Sequence, residues 1–381
     1  MTSGLLSRAL SSLEDHPTLR PGARIVAAMS GGVDSSVMAA LLHRAGFEVI
    51  GLSMQLFEKK PSGGAEGRCC TLDDFQDARQ VSQMLGFPHY VMDFEARFHD
   101  AVIEPFIQGY LSGETPSPCI HCNQFLKFSS LIDRADELEA PFVATGHYAD
   151  IFRDENGWHL GKASDPAKDQ SYYLFHHTQK SLARTLFPLA HLTKTEVRAI
   201  GTELGLHLAE KAESQEICFV SDGRYDAFIE AMGRAPALDP GEIRHLDGRF
   251  LGHHQGYWRF TIGQRRGLGV AFPEPLYVVR LDPRTNTVWA GTEQDLYADH
   301  LVARALNWVG PPPKGPLACS AKVRSRSPEA EALVIPLEEG RVKVAFAEPQ
   351  RALAPGQAVV FYREDEVLGG GWIEGLPESG V

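Results

Sequence analysis

No stretch of this chain approaches the run of ~20 apolar residues that a helix needs to cross a bilayer. Its first twenty residues carry Glu14 and Asp15 and no continuous hydrophobic segment of the kind that marks a secretion signal, so a cytoplasmic location without membrane contact is expected. Positive charge is also scarce. The net charge of −12 argues against a surface that coats nucleic acid, excludes a general DNA binder, and confines any RNA site to a local patch. There is no long internal repeat and no low-complexity tract. Six cysteines (Cys69, Cys70, Cys119, Cys122, Cys218 and Cys319) without a secretion signal suggest reactive or metal-bound thiols more than structural disulfides. A single Cys-x-x-Cys, at Cys119 and Cys122, has no second such pair and no nearby histidine pair, so it is only half of a zinc site.

What is present points first to nucleotide chemistry. Residues 24–36, Arg-Ile-Val-Ala-Ala-Met-Ser-Gly-Gly-Val-Asp-Ser-Ser, read as a buried strand, a glycine turn and the start of a helix running to Arg44. Gly31 and Gly32 stand where backbone N–H groups must approach an anion closely, and the helix adds its positive end. Asp34, Ser35 and Ser36 supply oxygens for a magnesium ion or for helix capping. The turn carries neither Gly-x-x-x-x-Gly-Lys-[Ser/Thr] nor Gly-x-Gly-x-x-Gly, which disfavours a Walker-type or dinucleotide site. It is similar instead to the Ser-Gly-Gly-x-Asp-Ser loop of enzymes that split ATP between its α- and β-phosphates.

At 381 residues the chain has room for two or three domains. Up to about residue 215, strand and helix patterns alternate: strands at Glu48–Leu56, His89–Asp93 and Pro141–Thr145, helices at Asp73–Leu85, Phe98–Ser112 and Phe125–Glu139. That alternation implies an α/β doubly wound parallel sheet, whose ligands sit beyond the carboxyl ends of the strands. Residues 59–68 read as a mobile loop near that edge, and Cys69 and Cys70 beside it as structural. After Cys218 the texture changes to short glycine-separated apolar runs, and from about residue 296 to alternating segments such as Val342–Phe346 and Ala358–Tyr362, the pattern of a small β-barrel. The expected division is a loosely ordered N-terminal extension at 1–21, an ATP pyrophosphatase domain at 22–217, a central domain at 218–295 that contacts RNA, and a C-terminal β-barrel at 296–381.

Together, Ala28–Ser36, Gly51–Met54, Thr145–Tyr148, Lys168–Leu174, Ser214–Phe219, Phe260–Gly269 and Pro349–Phe361 resemble, in order, the signatures of the tRNA-specific 2-thiouridylases. These enzymes of the ATP pyrophosphatase superfamily replace the 2-oxygen of the wobble uridine of tRNA with sulfur. The resemblance implies that Ala28, Met29, Ser30, Gly31, Gly32, Val33, Asp34, Ser35, Met54 and Gly146 bind ATP with Mg2+. It implies that Ser117, Pro118, Cys119, His147, Lys168, Asp169, Gln170, Arg324, Ser325 and Gln357 face the tRNA. Tyr257, Trp258, Arg259, Arg265 and Arg266, with Lys322, Arg324 and Arg326, are the basic clusters suited to phosphates.

The same resemblance implies adenylation of the uridine C2 oxygen, release of pyrophosphate, and sulfur transfer that releases AMP. In the family scheme Cys218 carries a persulfide received from a donor protein, and Cys122 assists and ends in a Cys122–Cys218 disulfide. The target base must be everted to be reached. One position departs from the pattern: Cys119 stands where the family usually has Asp, which removes a carboxylate from the base site and gathers three thiols. Cys119, Cys122 and Cys218 could then hold a [4Fe–4S] cluster whose open iron presents sulfide, with free sulfide as donor. Persulfide relay and cluster both stay open here. Competing functions are a ligase of the same superfamily, such as one like argininosuccinate synthase, and an RNA-binding module with a vestigial loop. Both leave the thiols without a role.

Overall fold

The computed structural model describes residues 2–14, 17–57, 72–209, 211, 217–220 and 223–375. The loop expected at 59–68, Cys69, Cys70 and residues 212–216 of the Cys218 signature lie outside them. The chain divides into two units, one of Met1–Ala101, Cys119–Ser221 and Asp365–Leu368, the other of Val102–Pro118, Asp222–Glu364 and Gly369–Val381.

In the first unit, β1 (Arg24–Ala28), β2 (Glu48–Gln55), β3 (His89–Asp93), β4 (Phe142–Ala144) and, after a hairpin of β5 (Asp150–Asp154) and β6 (Gly157–Gly161), β7 (Thr185–Leu186) are laid down in chain order. The central sheet has the order β3-β2-β1-β4-β7, and every pairing in it is parallel. Ile25, Val26 and Ala27 of β1 are fully buried, as an apolar strand covered on both faces must be. The chain leaves β1 for β2 on one side and later returns through β4 on the other, so a crevice opens beyond the carboxyl end of β1. The helix Val33–Arg44 starts there, and its residues from Ser35 to Leu42 are all buried, so it shows no strong one-sided apolar pattern. It packs against the sheet and against helices Leu72–Leu85 and Lys194–Glu203.

The N-terminal segment is not the loose extension expected for 1–21. Thr2–Glu14 is a helix that packs on Val33–Arg44 and Lys194–Glu203, with Ala9 and Leu13 buried, and Leu19 beyond it joins the same core. The spacing of Leu5, Leu6, Ala9, Leu10 and Leu13 is a genuine apolar face, and burial supplies what a short helix lacks in isolation. Two helices expected to be continuous are also broken. Phe98–Ser112 contains a π-helical stretch at His99–Ile103, and the expected Phe125–Glu139 helix starts earlier, at Pro118, passing through a π-helix at Cys122–Phe128 before Ser129–Glu137.

The second unit holds a four-stranded sheet of β8 (Gly241–His245), β9 (Phe250–His254), β10 (Tyr277–Asp282) and β11 (Thr287–Gly291) in the order β10-β11-β8-β9. It also holds six long strands, β12 (Tyr297–Trp308), β13 (Leu317–Lys322), β14 (Ala330–Pro336), β15 (Val342–Arg351), β16 (Ala358–Arg363) and β17 (Glu366–Gly375). These run β12-β15-β14-β13-β16-β17, and β17 pairs back onto β12 to close a barrel without free edges. The α/β sheet, small central sheet and closed barrel make up the expected fold class.

The packing of the first helix yields a stability prediction. Leu13→Ala should cost about 2–4 kcal/mol, the usual range for a buried leucine, and lower the urea midpoint accordingly. An unchanged midpoint would mean that the helix contributes nothing to the core.

Candidate nucleotide and sulfur-transfer site

Between β1 and its helix the backbone turns at Gly31 with φ of +73°. A side chain there would need a Cβ 2.2 Å from the Asp74 carbonyl oxygen, so both the left-handed conformation and the space demand glycine. Gly32 is the N-cap of the helix, and no side chain caps the N–H groups that follow. Ser35 Oγ is used inside the turn: it accepts from Ser30 N at 3.1 Å and donates to Gly32 O at 3.1 Å. Ser36 Oγ is buried with no hydrogen-bond partner among the described residues. The turn therefore presents backbone donors and the positive end of a helix, which is an anion site in its chemistry.

Neighbouring strands complete the crevice. A Cβ on Gly146, just beyond β4, would lie 2.9 Å from Ser35 N, so this glycine lets the β4 loop close onto the helix start. Met54 is buried near the end of β2, and Ser53 Oγ donates to Met29 O at 2.6 Å, binding β2 to the entry of the turn.

Asp34 does not cap the helix. Its two carboxylate oxygens each accept from Lys194 Nζ at 2.7 Å, and Tyr148 Oη donates to Oδ1 at 2.9 Å. Lys194 opens its own helix, where a cation opposes the helix dipole, and a capping box between Thr193 and Glu196 fixes it there. Lys211 Nζ donates to Gly31 O at 2.9 Å and to Asp74 and Asp77 at 2.7 and 2.6 Å. Neither lysine stands out in the sequence, because each lies more than a hundred residues from the turn it meets.

The thiols lie in the same unit. Cys119 is exposed at its surface yet densely surrounded by protein, and its thiol is pushed up to about 11, first by that burial, then by the charge of Cys218, with Lys127 opposing. Cys122 is buried at the start of the π-helix, where residues five apart stack, bringing Lys127 one turn beyond it. Lys127 also acts on His147, which is held well below its usual range first by burial, then by Lys127 and His176. His147 accepts or donates to Thr145 Oγ1 at 2.7 Å through Nδ1 and, with His176 and His177, surrounds the Phe128 ring. Lys127 thus acts electrostatically on both His147, next to Gly146, and Cys119.

Family models cover most of the chain: a tRNA methyl transferase HUP domain over residues 23–222, a tRNA methyl transferase PRC-barrel domain over 228–292, and an aminomethyltransferase β-barrel domain over 298–373. The chain is 50% identical over 356 residues to a tRNA-specific 2-thiouridylase of Geotalea uraniireducens, covering 92% of this chain and 95% of that one. It is 49% identical to the corresponding enzyme of Geobacter metallireducens, over 94% of this chain and 98% of that one. The chain belongs to the tRNA-specific 2-thiouridylase family. It is accordingly a sulfurtransferase. Among solved structures it is similar to the U34-tRNA thiolase NcsA of Methanococcus maripaludis with its [4Fe-4S] cluster at 17% identity and TM-score 0.39, over 57% of this chain and 67% of that one. A likeness that weak says nothing about the thiols of this 2-thiouridylase.

Several residues expected to face tRNA are engaged internally. Asp169 accepts from Ala163 N, Ser171 N and Ser171 Oγ, and Gln170 brackets Tyr148 by accepting from its N–H at 3.0 Å and donating its own N–H to Tyr148 O at 2.8 Å. In the second unit Arg324 donates to Ile262 O and Ala352 O, Gln357 donates to Thr115 O at 2.8 Å, and Arg259 pairs with Asp226 and Glu230. Arg265, Arg266 and Arg326 are exposed, while Lys168, Lys322, Ser117 and Ser325 are half-buried and Pro118 is buried. Trp258 and Tyr257 are core residues, the latter donating to Leu111 O. No group of three His, Cys, Asp or Glu side chains among the described residues is placed to hold a metal ion, and Cys119, Cys122 and Cys218 are all among them.

The three histidines give a pH prediction. His147, His176 and His177 are held below the ordinary value of 6.5 by burial, His176 at about 3. Below pH 6.5 the unfolded chain then binds more protons than the folded one, so stability falls as pH drops towards the folded values, by up to ~1.4 kcal/mol per pH unit for each histidine. Urea unfolding at pH 7.5 and 5.0 should show this loss, and His176→Gln should reduce it. An equal loss in that variant would assign it to other groups.

Proposed function

We propose that this enzyme uses ATP to adenylate the C2 oxygen of the wobble uridine of tRNA and then replaces that oxygen with sulfur, releasing AMP and pyrophosphate. The observation that carries the reading is that the anion turn at Ser30–Gly32, closed by Gly146, and the thiols Cys119 and Cys218 lie within one unit, where Lys127 acts on both His147 and Cys119. A uridine carbonyl oxygen is a poor leaving group. Attack by that oxygen on the α-phosphorus turns it into a phosphate ester, and the pyrophosphate that leaves is received by N–H groups at the helix start. Ser36 Oγ, buried without a partner, is a further group that a phosphate oxygen would satisfy. Magnesium enters with ATP as part of the substrate. Met54 faces the adenine through its backbone, and Ala28–Ser35 and Gly146 line the phosphates.

Sulfur is delivered by a persulfide on Cys218. Its terminal sulfur attacks C2, AMP departs with the former uridine oxygen, and Cys122 attacks Cys218 Sγ, which frees 2-thiouridine and leaves a Cys122–Cys218 disulfide. An external thiol then reduces that disulfide. The donor is a persulfide-bearing protein: the Cys218 thiolate attacks its outer sulfur and the donor cysteine leaves as a thiolate. The relay is favoured over a cluster because the three thiols are not arranged to share a metal. Burial of Cys122 keeps the resolving thiol away from water and stray oxidants, while the exposed Cys119 stands nearest the entering base. His147, Lys168, Ser117, Pro118 and Ser325 are contacts to tRNA in this reading.

The test is mass analysis of nucleosides from tRNA incubated with ATP and a persulfide donor. Cys122→Ser and Cys218→Ser should each lower 2-thiouridine below about a hundredth of wild type while tRNA-dependent pyrophosphate release persists. Cys119→Ser should retain thiolation. Loss of thiolation in Cys119→Ser together with iron bound in anaerobically purified wild type would overturn the relay, and thiolation retained in Cys218→Ser would favour a ligase-type reaction.

A further inference from the structure

The Gly31 turn is held from outside as well as from within. Lys211 donates to the Gly31 carbonyl at 2.9 Å, and the same ammonium contacts Asp74 Oδ1 at 2.7 Å and Asp77 Oδ2 at 2.6 Å. Asp77 also meets His207 Nε2 at 3.1 Å. The Asp74 backbone is the wall that forbids a side chain at Gly31, with its carbonyl oxygen 2.2 Å from where a Cβ would stand. One cation thus binds the carbonyl of the turn, the acid beside the wall and a second acid one helical turn on.

We infer that Lys211 is a positioning residue for ATP, one that orients the Gly31–Gly32 peptide so that the Gly32 N–H meets the phosphates. This rests on the ATP reading above. A planar trans peptide points its C=O and N–H in opposite directions, and the chain has no cis bonds among the described residues. With the Gly31 carbonyl fixed on Lys211, the Gly32 N–H is turned away from Asp74 and Asp77. An anion that meets this N–H therefore approaches on the side away from both carboxylates.

Without the lysine, no other side chain among the described residues donates to the Gly31 carbonyl, which belongs to a peptide between two glycines, the pair of residues freest to rotate. The Gly31 carbonyl, if it swung inwards, would set an acceptor against a phosphate. Two carboxylates would also be left without their cation next to an anion site. Lys211 is itself only half-buried, and the two acids raise its pKa despite the opposing effect of burial, so it stays charged across the working range. These two consequences, peptide orientation and charge balance, make different predictions.

Lys211→Met should weaken ATP binding, measured by calorimetry on the full chain, by about tenfold, which corresponds to ~1.4 kcal/mol. The KM for tRNA should be unchanged, and Lys211→Arg, which keeps a cationic donor, should recover most of the loss. The triple variant Lys211→Met, Asp74→Asn, Asp77→Asn removes the uncompensated carboxylates without restoring the bond to Gly31, and it should remain weak. Matching urea midpoints for the variants and wild type separate the effect from unfolding. ATP affinity in Lys211→Met within about twofold of wild type, or full recovery in the triple variant, would overturn the inference. Wild-type protein that binds no ATP would instead overturn the reading on which it stands.

Discussion

One backbone constraint governs the first unit: the turn at Gly31 must be left-handed and must press against Asp74 with no side chain between them. Only then does the chain leave β1 and enter the next helix after four residues, with the helix start aimed into the crevice where the strand order reverses. Everything packed round the turn serves that geometry. Ser35 stitches it from inside, Gly146 allows the β4 loop to approach, Lys194 and Tyr148 neutralise and fix Asp34, and Lys211 holds the outer carbonyl. A concentration of backbone N–H groups and neutralised acid results, which suits a polyphosphate.

From this turn the electrostatics lead to the thiols through residues that are neutral or cationic. His147, His176 and His177 are stripped of their charge by burial around Phe128, leaving Lys127 as the cation that acts on Cys119. The π-helix from Cys122 to Phe128 is what aligns Lys127 with Cys122 and seats Phe128 among the histidines. A thiol pushed up to about 11, like that of Cys119, is a poor resting nucleophile.

Much of this was legible in the residues themselves. The apolar run at Ile25–Ala28, the paired glycines and the helix spacing after them define β1, the turn and the helix because the strand-turn-helix signal is local. The barrel followed from alternation in short segments. What local patterns could not reveal were partners distant in sequence: Lys194 and Lys211 at the turn, and the hydrogen bonds that occupy Asp169, Gln170, Arg324 and Gln357. A polar motif looks the same whether its side chains meet RNA or brace a loop. The N-terminal helix was misjudged for a related reason, since its weak apolar face gains stability only from the core that it joins. The π-helices likewise replace continuous helices where side-chain packing overrides regular winding.

The account turns on the claim that ATP activates the uridine oxygen itself. Transcript tRNA carrying oxygen-18 at C2 of the wobble uridine, incubated with the enzyme, ATP and a persulfide donor, tests this directly by mass analysis of the nucleotide products. The account predicts AMP that carries one oxygen-18 for each 2-thiouridine formed, with unlabelled pyrophosphate. Unlabelled AMP, or ADP and phosphate in place of AMP and pyrophosphate, would contradict it.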